Sequence, residues 1–227
     1  TVNPTGINAT GVVNISPRSG DLTVSEDITT TDATSTGVGA ITLNAGSTTA
    51  AGTATGGNIL ISGSPTLSTG TGGLITLFTG SVANSTGVAS LVGVGTGHFR
   101  YNSNATTTNY NSTAAPLGAG TYAIYREQPT LTFTASGATV VYGTATSTST
   151  SNDAVNGDTA AQIFGAGNEP TTTFSGGTYS TAGYLNVGNY TAVVNGSSTN
   201  NLGYGTISYV NGTTEVTKAS LTVSGAV

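Results

Sequence analysis

The sequence predicts an all-β protein: a right-handed parallel β-helix followed by a small antiparallel β domain, either a sandwich or a β-grasp-like sheet. Three observations lead there. A glycine followed by an alternating apolar pair recurs four times in the first third of the chain. Val, Ile, Thr and Tyr recur in alternating runs through the remainder, the pattern of half-buried strands. The composition is that of neither an ordinary globular protein nor a disordered one. Charged residues are only 6%, against about a quarter in a typical soluble protein, and 34 glycines stand beside only 6 prolines.

Residues 1–97 carry the repeat. Gly20 precedes Leu22 and Val24, Gly39 precedes Ile41 and Leu43, Gly57 precedes Ile59 and Ile61, and Gly73 precedes Ile75 and Leu77. The spacing is about 16 to 19 residues, at the lower limit of the periods that mark solenoids. Units this short cannot bury an apolar face alone, whereas a stack of them buries a continuous one. The expectation is therefore that the four pairs form two apolar ladders, one rung per repeat, with polar turns such as STTAAGTATG between them. VASLVGVG (88–95) is read as a last coil.

Residues 98–128 bring Phe99, Tyr101, Tyr110, Tyr122 and Tyr125 in quick succession. An aromatic stretch after a stack is read as its cap and as a linker, because a solenoid end otherwise leaves strand edges unpaired. Residues 129–218 form the second unit, with strand-like runs PTLTFTAS, ATVVYG, GYLNVGNYTAVV, YGTISYV and TTEVTKA separated by Gly and Asn turns. Within it AVNGDTAAQIFG (154–165) reads as a turn and a short helix capped by Asp158. ASLTVSGA at 219 repeats PTLTFTAS at 129, so residues 219–227 are read as the start of a further copy.

The order VVYG (140–143), AVNGDTAA (154–161), STAGYLNVGNY (180–190), GYGTISYVNG (203–212) and EVTKASLTV (215–223) resembles the MBG or YDG-type β domain. That domain occurs in tandem in large bacterial adhesins of the filamentous-haemagglutinin, two-partner-secretion type. The resemblance covers about 90 residues and marks Tyr142, Gly143, Gly157, Asp158, Gly188, Tyr190 and Lys218 as its structural positions. It also implies that residues 1–97 are the C-terminal coils of a longer shaft. The family's secretion domain and anchor are not among these residues, and the chain begins at Thr1 without a signal peptide.

Chemistry-bearing residues are few. The net charge is −5 and the permanent cations are Arg18, Arg100, Arg126 and Lys218, which gives no basic footprint for nucleic acid. No apolar run is long enough to span a membrane as a helix. Without cysteine there is neither a disulfide nor a thiolate nucleophile. His98 is the single histidine and no G-x-S-x-G elbow accompanies it. Glu26 and Asp27 are adjacent, so on a strand they face opposite sides and do not form a hydrolase pair. Asp21, Glu26, Asp27 and Asp32, and separately Asp153 and Asp158, are the acids that calcium would use. They lack the D-x-D-x-D-G and GGxGxD patterns and are read as turn and cap residues. No catalytic, cofactor-binding or metal site is assigned, and no cofactor is expected.

Asn-x-Ser/Thr sequons occur at Asn8, Asn14, Asn84, Asn104, Asn111, Asn189, Asn195 and Asn211, close to the number that chance gives in so Ser/Thr-rich a chain. The family resemblance implies hexose attachment at such sites, of which Asn84, Asn104, Asn111, Asn189, Asn195 and Asn211 are the candidates. The functional expectation is a non-enzymatic, extracellular segment of a surface adhesin, a stiff spacer for cell–cell or cell–matrix attachment and biofilm. Its partners would be other cells, matrix polysaccharide or copies of itself. The alternative is the subunit of a polymeric filament or sheath.

Overall fold

The computed structural model describes residues 6–144, 150–221 and 225; the run ATSTS (145–149) and most of the run after Leu221, including the expected start of a further copy, lie outside the described residues. The chain is built mainly of strands and divides into two compact units that are not consecutive stretches. Unit 1 comprises Thr1–Thr130, Ala154–Gly167 and Ser198–Thr206, and unit 2 comprises Leu131–Asp153, Asn168–Ser197 and Ile207–Val227. The segments 154–167 and 198–206, which the sequence pattern groups with 129–218, thus pack with the first unit.

In unit 1 the chain visits three parallel sheets in a fixed order. The first pass runs through β1 (Ile7–Ala9), β2 (Val13–Ile15) and β3 (Leu22–Val24). The second runs through β4 (Ile28–Thr30), β5 (Ile41–Asn44) and β6 (Ile59–Ile61), and the third begins with β7 (Leu67–Ser68) and β8 (Leu74–Thr79). The sheets are ordered β1-β4-β7, β2-β5-β8 and β3-β6, all paired in parallel. Register pairs Leu22 with Ile59, Val24 with Ile61, Ile41 with Ile75 and Leu43 with Leu77. The four glycine-led pairs therefore do not stack as one column. Alternate pairs belong to different sheets, and partners on successive passes lie 21 to 39 residues apart, from Ile7 with Ile28 to Ile28 with Leu67, those of the four pairs being 34 or 37 apart. The apparent period of the sequence is half of the structural one.

Seven of the eight pair residues lie in the core: Leu22, Val24, Ile41, Leu43, Ile59 and Leu77 are fully inaccessible and Ile75 nearly so, while Ile61 is half-buried. Two of the four glycines are explained by closeness between passes. A Cβ at Gly57 (φ +145°) would collide with the carbonyl oxygen of Gly20, and one at Gly39 (φ +90°) with that of Leu74. Replacing Gly39 with Ala is expected to cost roughly 3 kcal/mol, from strain plus overpacking. Gly72→Ala is the control: its φ is also positive (+84°) but the space around it is open, so about 1 kcal/mol of strain is expected. Urea titration of the two variants measures the difference; equal losses would place the clash elsewhere.

VASLVGVG is not a further coil strand. The chain passes alongside β6, where Thr86 O accepts the Ile61 amide, and then forms α1 (Val88–Val92) from Gly87 at φ 76°. Val88 and Val92 sit four residues apart on one helix face and are both buried, so helical spacing wins over alternation in a run with no strict period.

The middle sheet continues through β9 (Phe99–Arg100) and β10 (Gly120–Tyr125) in the order β8-β10-β9. The later strand inserts between the earlier two, so β9 ends the sheet. Leu43, Leu77, Ala123 and Phe99 line up on one face, and Asn44, Phe78, Ile124 and Arg100 on the other. All eight are buried, so this sheet is covered on both sides.

Unit 2 has a three-stranded sheet, β13-β11-β16, and a four-stranded sheet, β12-β17-β15-β14. Its strands are β11 (Leu131–Ala135), β12 (Ala138–Val141), β13 (Thr150–Asn152), β14 (Thr171–Ser175), β15 (Gly188–Asn195), β16 (Ile207–Val210) and β17 (Gly212–Thr217). The expected purely antiparallel arrangement is corrected: β11 with β16 and β12 with β17 are parallel, and the other pairs are antiparallel. The cause is that two segments, 131–141 and 207–217, each cross from one sheet to the other and run side by side. Glycine permits the crossing, since a Cβ at Gly137 would stand 2.6 Å from Thr213 O and one at Gly212 2.5 Å from Ala135 O. Leu131, Phe133, Ala192, Val194 and Val216 form the buried core.

Candidate functional site

The polar chemistry of unit 1 is concentrated where β9 ends the middle sheet. The edge strand is only two residues long, and the next amide, Tyr101 N–H, donates to Leu202 O at 2.9 Å. Gly203 lies so close over Tyr101 that a Cβ would strike its carbonyl oxygen. Residues 198–206 thus lie against the chain just past β9 and take up the Tyr101 amide there.

Asp158 joins the three segments. It follows the 3₁₀ turn Val155–Gly157, in which Asn156 adopts φ 55°, and its side chain turns inward. Tyr101 and Tyr204 both donate their hydroxyls to Asp158 Oδ2, at 2.6 and 2.9 Å, and Asn156 Nδ2 donates to the Tyr101 oxygen at 3.0 Å. Oδ1 is buried without a hydrogen-bond partner. The predicted helix cap is therefore reassigned. In α2 (Ala160–Phe164) the cap is Thr159, whose side chain accepts from Gln162 N while Gln162 Oε1 accepts from Thr159 N at 2.8 Å, a reciprocal capping box. Asp158 is freed from that role and buried instead.

Burial raises the carboxyl pKa of Asp158, against the lowering effect of the two tyrosine hydrogen bonds and the Arg100 charge. Burial likewise pushes the Tyr101 and Tyr204 hydroxyls far above their ordinary range, so both remain donors. A carboxyl with a raised native pKa binds its proton more readily folded than unfolded. Its contribution to stability therefore grows as the pH falls from neutral through the native pKa, and stops growing below the unfolded value near 3.8. The native protein is expected to gain melting temperature relative to Asp158→Asn between pH 7 and pH 4.5. Parallel pH profiles for the two proteins would refute this coupling.

Two of the chain's four permanent cations are buried here. Arg100 donates Nε to Ala115 O (3.0 Å), Nη1 to Gly97 O and Phe99 O (2.7 Å each) and Nη2 to Pro116 O (3.2 Å). Its guanidinium carbon lies 5.4 and 5.5 Å from the ring centres of Tyr110 and Tyr122. Arg126 is wholly inaccessible and donates to Ala45 O and Gly57 O at 2.6 Å and to Thr55 O at 3.3 Å. Burial lowers both arginine pKa values, yet a guanidinium starts far enough above neutral to stay charged.

The other sequence candidates are dispersed. His98 stacks on Tyr122 with ring centroids 4.2 Å apart, its Nδ1 lying 3.2 Å from Thr121 O. Asp21 and Asp27 each accept a backbone amide from the next pass, Asn58 N at 2.8 Å and Thr66 N at 2.7 Å. Asp32 accepts Thr34 N, and that hydrogen bonding lowers its pKa. In unit 2, Asp153 accepts Thr132 N at 2.6 Å. Among the described residues no group of three or more His, Asp or Glu is placed to hold a metal ion.

Of the sequon asparagines, all but Asn104 are exposed. Asn104 is half-buried, donating to Thr49 O at 3.0 Å and accepting from Thr106 N and Thr107 N. Asn111 accepts from Thr113 N and Ala114 N, Asn195 donates to Thr173 Oγ1, and Asn211 accepts from Val194 N. Asn8 accepts from Thr29 Oγ1 and Asn14 from Ser16 Oγ.

Sequence reasoning passed over Arg100, Arg126 and Tyr204. The available signal is that one arginine ends β9 and the other directly follows β10, each closing an apolar run, in a chain with almost no other cation. Compared with known proteins, the chain matches no family model, no curated protein and no solved structure.

Proposed function

We propose that unit 1 is a right-handed parallel β-helix closed at one end, and that the chain is a stiff, non-enzymatic segment of a bacterial surface adhesin. The observation that carries this reading is the fixed cyclic order of three parallel sheets, with apolar residues in register from pass to pass. Such a stack gives length and rigidity at low contact order along its axis and keeps the same cross-section as it grows. The motif order in residues 140–223 supports the adhesin class, with residues 129–218 as a domain of the tandem MBG or YDG type. The extracellular setting, the attachment to cells or matrix polysaccharide and the role in biofilm belong to this proposal. Among the described residues no helix is long and apolar enough to cross a membrane.

A second reading is favoured by one observation. Among the described residues β1, β2 and β3 are each an edge strand of their sheet, all on the first-pass side of the stack. Further rungs of the same chain would cover those edges in a spacer; a second copy would cover them in a filament. Antibodies against exposed residues of unit 2, applied to intact cells that produce the protein, test the surface setting. Labelling together with loss of attachment on deletion supports the adhesin. Labelling only after lysis contradicts it.

A further inference from the structure

Beside the buried end of unit 1 lies a cleft of about 420 Å³ that the spacer role does not use. Its size is within the range of small-ligand sites. The walls are mostly alanine, glycine and proline, from 96–97, 114–116 and the helix 161–166 with its exit. The polar groups that line it are Arg100, Gln162, Asn201 and Thr96, and no acidic residue is among them.

Arg100 is the chemical centre. Its side chain is only 3% exposed, yet it forms part of the cleft wall. Four hydrogen bonds to backbone carbonyls fix the guanidinium plane. A guanidinium has five N–H groups, so one donor on Nη2 is left over, beside Pro116, which also lines the cleft. Gln162 Nε2 gives one hydrogen to Gly95 O at 2.9 Å and carries a second. A fixed, desolvated cation with amide donors around it and no carboxylate in the wall suits an anionic group that accepts hydrogen bonds. The small side chains leave room for a ring but supply no deep apolar hole for a peptide side chain.

We infer that this cleft binds the carboxylate of an acidic sugar, a uronate unit of a polysaccharide, with Arg100 as the charged contact. The inference rests on the extracellular reading above and gives its matrix partner a chemical class. It requires only soluble ligand, so it stands or falls separately from attachment to cells.

The probe is trigalacturonate, titrated into the full chain by calorimetry or NMR and compared with its fully methyl-esterified form, which keeps the rings and blocks the charge. The acid is expected to bind at least ~10-fold more tightly at low salt and to weaken as salt rises. Arg100→Ala removes the charged contact but also empties a buried site, so the decisive variant is Ala161→Glu. Ala161 is exposed, lines the cleft and lies in the first turn of α2, where a carboxylate is tolerated. Ala161→Glu is expected to lose at least ~10-fold in affinity with unchanged melting temperature, and Ala161→Lys to gain affinity. Equal binding of acid and ester, indifference to Ala161→Glu, or no binding at all would overturn the inference. Acetate or a trialanine peptide binding as tightly as trigalacturonate would overturn the assignment to a sugar.

Discussion

Arg126→Ala is expected to lower the stability of unit 1 by about 3 kcal/mol or more, the largest effect of any single side chain in the protein. Ala45 O, Thr55 O and Gly57 O all accept from this guanidinium, in a place where the arginine itself has no exposed surface. Removing the donor leaves buried carbonyls unpaired, at about 1–3 kcal/mol for each that cannot find water. The stem of the side chain also leaves a void. Arg126→Met separates the two effects, because it refills the volume without restoring a hydrogen bond. It should recover the packing part only. Arg126→Lys keeps the charge but cannot span three carbonyls with a planar fork, so it should fall between Met and the native residue. Urea denaturation monitored by far-UV circular dichroism measures the series. A loss below about 1 kcal/mol for Arg126→Ala would mean that the corner between β5 and β6 is held by other contacts.

The second large effect concerns the closure of the stack. A fragment ending at Thr130 contains every strand of the three parallel sheets of unit 1 and both arginines, yet it lacks 154–167 and 198–206. Without them Tyr101 N–H loses Leu202 O, the Tyr101 hydroxyl loses Asp158, and β9 becomes an open edge. The fragment is expected to melt at least 10 °C below the unit in the full chain, and to associate through the exposed edge. Restoring 154–167 and 198–206 through short linkers that omit most of unit 2 should return the lost stability. Cooperative melting of the 1–130 fragment at the native temperature would show that the downstream segments only decorate the end.

What could be read from the sequence follows from which contacts are local. Alternation within a strand is local, so Leu22, Val24, Ile41, Leu43, Ile59 and Leu77 could be named as core from sequence, and they are fully buried. The register partners that link one pair to another are 34 or 37 residues away, and four similar motifs could not reveal that alternate ones belong to different sheets. Gly39 and Gly57 mark close approaches between passes, a role that any evenly spaced glycine imitates. In unit 2 five of the seven described strands were legible one by one, while β13 and β14 lie outside the runs read as strands. Strand direction was not legible, because it depends on the two crossings at Gly137 and Gly212. Asp158 shows the limit most clearly. Beside Thr159 and an alanine-rich helix it has the sequence context of a cap, and only Tyr101 and Tyr204, far away in the chain, make it the buried acceptor of two hydroxyls.

The central claim is that this chain is part of a rigid, surface-held spacer built by stacking β rungs. Electron microscopy of the native material, released from cells without denaturation, tests it most directly. A stacked spacer is expected as single unbranched rods of constant width attached to cells, with length growing by about 4.8 Å for each added rung. Filaments with a short axial repeat, assembled from many identical copies of one subunit, would contradict it and favour the polymeric reading.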